Sequence, residues 1–413
     1  MSAIGRSLLG AAVCALGVHG AAMAEPLKIA VVETLSGPQA STGLLIKAGL
    51  EFGLKAINAD GGYGGEPVQI LEYDNQGGPV GAADRVKAAI ADGARIIVQG
   101  ASSAIGGQVT EDVRKHNLRN PGKEVIYMNV GAEALELTGE KCHFHHFRFN
   151  TNAVMRTAAL APAMKEAGLL DHGVYSINQN YSWGQDMAAA IDTYADKVGY
   201  EVVGHTLHDV NKIQDFSPYV ADIEKSGAAA VMTGNWSNDL LLLVKAASDA
   251  GLKAKFGTTF LDQPGNIANA GALAEGHYLS AIFNGEAAGE QGAAFMEDYK
   301  AFTGHYPAFV EAQTVHGVRM LGVALKATPQ TDGGIDVNAI GLALEDASIE
   351  NGMGTITMRK EDHQAQMPMV VSVVSKDAKY KVDGTEYGFK PIKVLTPAET
   401  GTPVQDSCKM KRP

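Results

Sequence analysis

One pattern recurs twice in this 413-residue chain and narrows its fold more than any other feature: short, continuously apolar runs alternate with amphipathic helices. Residues 28–33 (Lys-Ile-Ala-Val-Val-Glu) predict a strand that ends in the turn Leu35-Ser36-Gly37-Pro38. A helix follows with Leu44, Ile46, Leu50, Phe52, Leu54, Ala56 and Ile57 on a broad apolar face, and Gly61-Gly62 stops it. A strand over 68–73, the turn Asp74-Asn75, a helix over 82–91 and a strand over 95–99 come next. The pattern then returns, with strands at 173–177, 201–205, 229–233 and 255–259 and helices at 185–198, 216–226 and 240–250. Strands that are apolar throughout and separated by helices belong to parallel sheets covered on both faces. Two such units, joined near 147–152, predict an α/β protein of two Rossmann-like lobes with a cleft between them.

The remainder of the chain has no core pattern of its own and is expected to complete the two lobes. Helices are predicted at 295–302, 312–327 and 336–347, and a late hairpin pairs 369–374 with 379–382. More than one strand then crosses between the lobes, which makes a multi-strand hinge. The expected division is 25–148 plus about 278–355 for the first lobe, 149–277 plus about 356–395 for the second, and 396–413 as a tail.

The N-terminus carries Arg6, a short apolar run from Leu8 to Val18, and Ala22-Met23-Ala24. This is the layout of a cleavable export signal, with cleavage expected after Ala24 and a mature protein in an oxidising compartment outside the cytoplasm, which the resemblance given below identifies as the periplasm. The run is too short to span a bilayer. Cys14 offers lipid attachment as the rival reading, which the branched Val13 before it disfavours. The formal charge of −12, without a Lys/Arg cluster beyond Lys409, Lys411 and Arg412, argues against nucleic acid or an anionic membrane as partner. Cys142 and Cys408 are the two cysteines of the mature chain, and in an oxidising compartment they are expected to form one disulfide that ties the tail to the middle of the chain.

Ligands of open parallel sheets bind beyond the carboxyl ends of the strands. In the first lobe Ala101, Ser102 and Ser103 lead into a helix there, whose free N–H groups and positive dipole end suit an anion. A simple N-cap is the alternative reading of either serine. Ala132 and Glu133 follow another strand; small residues permit close backbone approach, and Glu133 either receives a cation or is an ordinary solvated glutamate. In the second lobe, Tyr181 and Trp183 follow one strand and Trp236 another, and these are the only two tryptophans of the chain. They serve as walls for an apolar ligand body or as core packing. Phe260 and Asp262 close a third strand and add a wall and a carboxylate.

With these residues in hand, the chain resembles the periplasmic substrate-binding proteins of ABC importers for branched-chain amino acids, a type I periplasmic-binding fold. The carriers are Leu35-Ser36-Gly37-Pro38, Ile57-Asn58-Ala59-Asp60-Gly61-Gly62, Ala101-Ser102-Ser103, Asn180-Tyr181-Ser182-Trp183-Gly184, Asp215-Phe216-Ser217-Pro218-Tyr219, Thr233-Gly234-Asn235-Trp236 and the run from Met358 to Gln364. The resemblance implies that Ser102 and backbone N–H groups near Ala132 hold an α-carboxylate, and that Trp183 and Trp236 wall the side chain. It also implies closure of the lobes and delivery to an inner-membrane permease, by a monomer without cofactor. Three departures bear on the ligand. An aromatic of the opening loop is Thr42 here, a threonine or serine on the ammonium aligns with Glu133, and the acidic residue of the second lobe aligns with Phe260, Asp262 lying nearby. A buried ammonium needs a carboxylate, so Glu133 or Asp262 supplies it, or the ligand is not a plain α-amino acid.

Two rival classes are weaker. Cys142-His143-Phe144-His145-His146 packs potential metal ligands together, but strand alternation sets His143 and His145 apart from the others, and a disulfide removes the thiolate. Motifs for hydrolase, nucleotide or zinc-peptidase chemistry are missing, and Asp362-His363 has no nucleophile placed with it, so no catalytic residue and no metal site is expected. A binding protein for aromatic or other organic acids or amides, or a sensor feeding a receptor, stays open on the same fold.

Overall fold

The structure, a computed structural model, describes residues 25–37, 39–330 and 334–413; the expected export signal and Pro38 of the first turn lie outside them. In the first half, β1 (Lys28–Glu33), α1 (Ala40–Ala59), β2 (Gln69–Asp74), α2 (Pro79–Ala91), β3 (Ile96–Gln99), α3 (Ser103–Arg119), β4 (Ile126–Asn129) and β5 (His146–Arg148) alternate as the sequence predicts. The strands form a wholly parallel sheet in the order β2-β1-β3-β4-β5. Ile29, Val31, Ile96 and Val98 face one apolar core, while Ala30, Val32 and Ile97 face another. That two-sided burial is why these strands read as continuous apolar runs.

The second half repeats the scheme. It runs through α4 (Ala153–Glu166), β6 (Val174–Gln179), α5 (Ser182–Val198), β7 (Val202–His208), α6 (Ser217–Ser226), β8 (Ala230–Thr233), α7 (Asn238–Asp249), β9 (Lys255–Thr258), α8 (Asn266–Ala270) and β10 (Tyr278–Ala281). The chain continues through α9 (Gly289–Thr303), α10 (Val310–Ala327), α11 (Val337–Glu345), β11 (Ser348–Glu350), β12 (Thr355–Met358), β13 (Ala365–Gln366), β14 (Met369–Ser375), β15 (Gly388–Leu395) and α12 (Pro397–Thr400). The second sheet is ordered β15-β14-β10-β9-β8-β6-β7, with β14 and β15 antiparallel at one end, and β11-β12-β13 is a small third sheet. The fold is thus the type I periplasmic-binding architecture: α/β, two lobes, parallel sheets.

The chain crosses between the two cores at three places. Phe149 packs in the first core and Ala153 in the second; Ala281 packs in the second and Ile282 in the first; Met367 packs in the first and Met369 in the second. The second crossing therefore falls after β10, and the third falls at Pro368, beyond the boundary near 356 expected from the sequence, because β12 and β13 pack in the first core. The late hairpin also differs from expectation: β14 pairs with β15, and Lys381 makes only an isolated bridge to Gly388. Pro391 obscured this strand, since proline reads as a breaker; it sits beside the register shift at Val371/Ser372 of an edge strand, where a missing N–H is tolerated.

Cys142 and Cys408 form the expected disulfide, with Cα atoms 5.4 Å apart across a sequence separation of 266. It fixes the tail on the first lobe after α12 has packed against α4 of the second. Gln405 Nε2 donates to the Leu135 carbonyl at 2.7 Å, and Arg412 pairs with Glu345. The tail is therefore a further tie between the lobes. Replacing Cys408 by Ser should lower unfolding stability by roughly 2–5 kcal/mol, the usual effect of opening a long disulfide loop. An unchanged midpoint in a denaturant titration would show that the tail ties nothing down.

Candidate functional site

Three parallel-sheet strands of each lobe end at the cleft in buried polar residues, and these side chains brace the loops that follow. Gln99 ends β3 and donates to the Ala101 carbonyl at 2.6 Å. Asn129 ends β4 and grips Ala132 through both its N–H and its carbonyl, at 2.8 and 2.9 Å. In the second lobe Asn178 of β6 accepts from Gly234 N at 2.8 Å, and Thr233 of β8 accepts from Asn235 N at 3.0 Å. Thr258 of β9 accepts from Leu261 N at 3.1 Å. Glu33, at the end of β1, is wholly buried and its Oε1 accepts the N–H groups of Gly100 and Ala101.

Between these loops lies a cavity with about 320 Å³ of empty space, lined from the first lobe by Thr42, Gly100, Ala101, Ser102, Ser103, Gly131 and Glu133, and from the second by Tyr181, Trp183, Trp236 and Phe260; Phe309 and Val310, before and at the start of α10, complete it. Ser102 holds φ at 77°, a left-handed conformation rare for serine, and its hydroxyl does not cap α3. Gly106 N is the first amide of the helix to bond back, to the Ser102 carbonyl. The amides of the first turn and the Ser102 hydroxyl thus converge as donors suited to a carboxylate. The opposite wall is apolar. Trp183 fixes its ring by donating from Nε1 to the Gly234 carbonyl at 2.8 Å, and Trp236 does so to the Tyr181 hydroxyl at 2.7 Å. Phe260 stands edge-on to Phe309, with ring centroids 5.1 Å apart.

Several sequence expectations take a different form. Ala132 is buried but does not line the cavity, and its N–H is spent on Asn129. The Ala101 amide serves Glu33, and the Ser103 hydroxyl accepts from Glu133 N and Ala134 N at 3.2 and 3.1 Å, so Ser103 shapes the loop. Glu133 does reach the cavity, yet its carboxylate is already filled. Arg156 donates to both oxygens at 2.7 and 3.1 Å, Asn150 Nδ2 to Oε1 at 2.7 Å, and Thr151 Oγ1 to Oε2 at 3.0 Å. Four donors occupy the four favourable positions of a carboxylate. Asp262 lines the neighbouring cavity and accepts from Phe309 N at 2.8 Å; burial pushes its carboxyl up to about 6. Of the Cys142–His146 run, Cys142 is in the disulfide, His143 Nε2 meets Thr110 and His145 Nε2 meets Asn338. Burial lowers all three histidines, His143 to about 3.

Sequence reasoning missed Phe309, Val310, Glu33 and Arg156. The run Tyr306-Pro307-Ala308-Phe309 before a helix was a usable signal for the first two, and an acidic residue ending the apolar run 28–33 was one for the third. Arg156 had none, because its role depends on how the lobes meet. A second groove, lined by Ser36, Gln39 and Gln76 from one lobe and Val210 and Asn211 from the other, shares Ser102 and Tyr181 with the cavity and is its mouth.

Comparison with known proteins places this geometry. A family profile described as "Periplasmic binding protein" matches residues 26–379. The Leu/Ile/Val-binding protein homolog 4 of Brucella abortus is 63% identical over 406 residues, 98% of each chain. The Leu/Ile/Val-binding protein of Escherichia coli K12 is 26% identical over 266 residues, 62% of this chain and 67% of that one. Among solved structures, the leucine-, isoleucine-, valine-, threonine- and alanine-binding protein from Brucella ovis, in a closed conformation, superposes with a TM-score of 0.89 at 64% identity, covering 94% of this chain and all of the other.

Glu33 generates the test of this local structure. Burial raises its carboxyl to about 8, against three backbone N–H groups that lower it. A carboxyl whose folded value exceeds its unfolded value binds its proton more tightly in the native protein, so its stabilisation is present at low pH and is lost as pH rises towards 8. Glu33→Gln should therefore flatten the fall of unfolding free energy between about pH 5 and pH 8. A variant with the same slope as the parent would show that Glu33 is ionised in the loop.

Proposed function

We propose a ligand and a task for this chain within the periplasmic binding protein family, to which it belongs: it captures a small hydrophobic α-amino acid between its lobes and hands it to an ABC permease. The observation that carries the reading is the polarity of the cavity, with amides of α3 and the Ser102 hydroxyl on one wall and Trp183, Trp236, Phe260 and Phe309 on the other. A carboxylate belongs at the first and an aliphatic side chain at the second. Relatives at 63% and 64% identity that are named for binding leucine, isoleucine and valine support this choice over aromatic acids or amides.

The ammonium faces Glu133, the one carboxylate on the cavity wall, whose hydrogen-bonding positions are already taken, so only its charge acts on the ligand. Arg156 already neutralises that carboxylate, so the ammonium gains less here than beside an unpaired acid, and the ligand's carboxylate and side chain carry most of the affinity. The reading is of binding, because the cavity presents hydrogen-bond donors on one wall and aromatic rings on the other. Export through the signal at 1–24 with cleavage after Ala24, transport rather than sensing, and a monomeric state complete the proposal.

Closure follows from the same geometry. Asp186 of α5 in the second lobe accepts from Leu135 N of the first at 2.7 Å, at the edge of the cleft. The lobes hold this contact when shut, and ligand contacts on both walls favour the shut state by mass action.

Calorimetric titration of the ligand-stripped protein with L-leucine and with 4-methylpentanoate tests the reading. L-Leucine should bind, and its deaminated analogue more weakly. Ser102→Ala should weaken leucine by about 1–3 kcal/mol, the worth of a hydrogen bond to a charged group. Equal binding of the analogue would remove Glu133 from recognition, and normal binding by Ser102→Ala would place the ligand elsewhere.

A further inference from the structure

A larger groove lies on the first lobe, away from the cleft. It offers about 1630 Å³ of empty space, part of it open to solvent, between α1, α9 and α10. Phe52, Phe283, Phe295 and Phe302 make an aromatic box: Phe52 meets Phe295 and Phe302 at 5.9 and 5.7 Å, and Phe295 meets Phe283 at 5.2 Å. Phe302 is 43% exposed, the one phenylalanine among the described residues that is open to this degree.

Polar groups at this groove are left without partners. Asn351 is 2% exposed; its Oδ1 accepts from Met353 N and Gly354 N, yet its Nδ2 donates to nothing among the described residues. His316 is 4% exposed, packs edge-on to Phe283 at 5.7 Å, and its Nδ1 has no partner. Buried polar groups ordinarily find partners, because leaving one unpaired carries a desolvation penalty. Two at one groove point to a ligand with oxygen or nitrogen atoms.

The charges around it select the ligand's sign. Lys55 reaches over the Phe302 ring, 5.5 Å from its centroid, and Arg319 gives one N–H to the Glu350 carbonyl; among the described residues neither meets a carboxylate. Asp298 lies on the exposed rim and is the one acid of the lining. Two free cations, an amide donor and an aromatic floor together fit an anion with a planar or apolar body.

We infer that this groove is a second ligand site, distinct from the cleft, that takes an apolar carboxylate whose body stacks among Phe52, Phe295 and Phe302 while its carboxylate meets Asn351, Arg319 and Lys55. The site shares no lining residue with the cleft cavity, so the groove can be probed with the cleft filled.

The test uses the full mature protein saturated with L-leucine, with 1-naphthoate as the probe and uncharged 1-naphthalenemethanol as its control, followed by calorimetry. Naphthoate should bind once per chain with leucine present, and more tightly than the alcohol. Lys55→Glu and Phe302→Ala, both at exposed positions, should each weaken naphthoate about tenfold or more while leaving leucine binding unchanged. Ser102→Ala should do the reverse, which separates a failure of this site from a failure of the cleft. Absence of naphthoate binding up to about 1 mM, binding that leucine displaces, or binding that neither groove substitution changes would each overturn the inference.

Discussion

The arrangement of the two lobes depends on one buried ion pair. Glu133 follows β4 of the first lobe, Arg156 lies in α4 of the second, and their side chains are 1% and 3% exposed at a 2.7 Å contact. Asn150 and Thr151, which complete the carboxylate's shell, belong to the first crossover, and Arg156 Nη1 also donates to the Ser280 carbonyl of β10, beside the second. Gln364, close to the third crossover, donates to the Asn150 carbonyl and accepts from Arg148, each at 2.6 Å. All three crossovers are thus laced into one polar network in a dry setting. A buried ion pair adds little net stability over an apolar substitute, yet losing one partner costs about 3–5 kcal/mol. Its contribution here is to geometry: it holds the hinge in one arrangement, so that opening and closing pivot about a fixed point.

Around that pivot each lobe supplies half of a site. The strands carry Glu33, Gln99, Asn129, Asn178, Thr233 and Thr258 at or next to their carboxyl ends, and each side chain clamps the loop beyond its own or a neighbouring strand. The first lobe's loops present amides and a hydroxyl, and the second lobe's present aromatic rings locked by their own hydrogen bonds. Neither half encloses a ligand alone. On the proposed function, differential contact in the shut state would let a small molecule move an equilibrium between open and closed lobes. The tail, bonded through Cys408 to Cys142, limits how far the halves can separate.

Much of this was legible in the sequence because it is local. The alternation of apolar runs and helices fixes two parallel sheets, and the loops at 101–103, 181–183 and 236 follow strands and do line the cavity. The disulfide was legible from two lone cysteines in a chain with the layout of an export signal. What was not legible is long-range. Glu133 reads as an open carboxylate until Arg156 arrives from the other lobe, and Ala132 reads as an amide donor until Asn129 takes its N–H. The crossovers after Ala281 and at Pro368 carry no composition change, since each joins one apolar core directly to another. Phe309 enters the site from a loop that follows no strand of either sheet, with φ at 51° and its N–H on Asp262.

The most direct measurement of the central claim, that one ligand is enclosed between a donor wall and a tryptophan wall, is intrinsic fluorescence. Trp183 and Trp236 are the chain's only tryptophans, and both stand on the cavity. Titrating the ligand-stripped protein with L-leucine should give a saturable change in tryptophan emission with a stoichiometry of one, largely lost in Trp236→Phe. Tight, stoichiometric leucine binding by calorimetry with unchanged emission would contradict the account, because the ligand would then lie away from both rings.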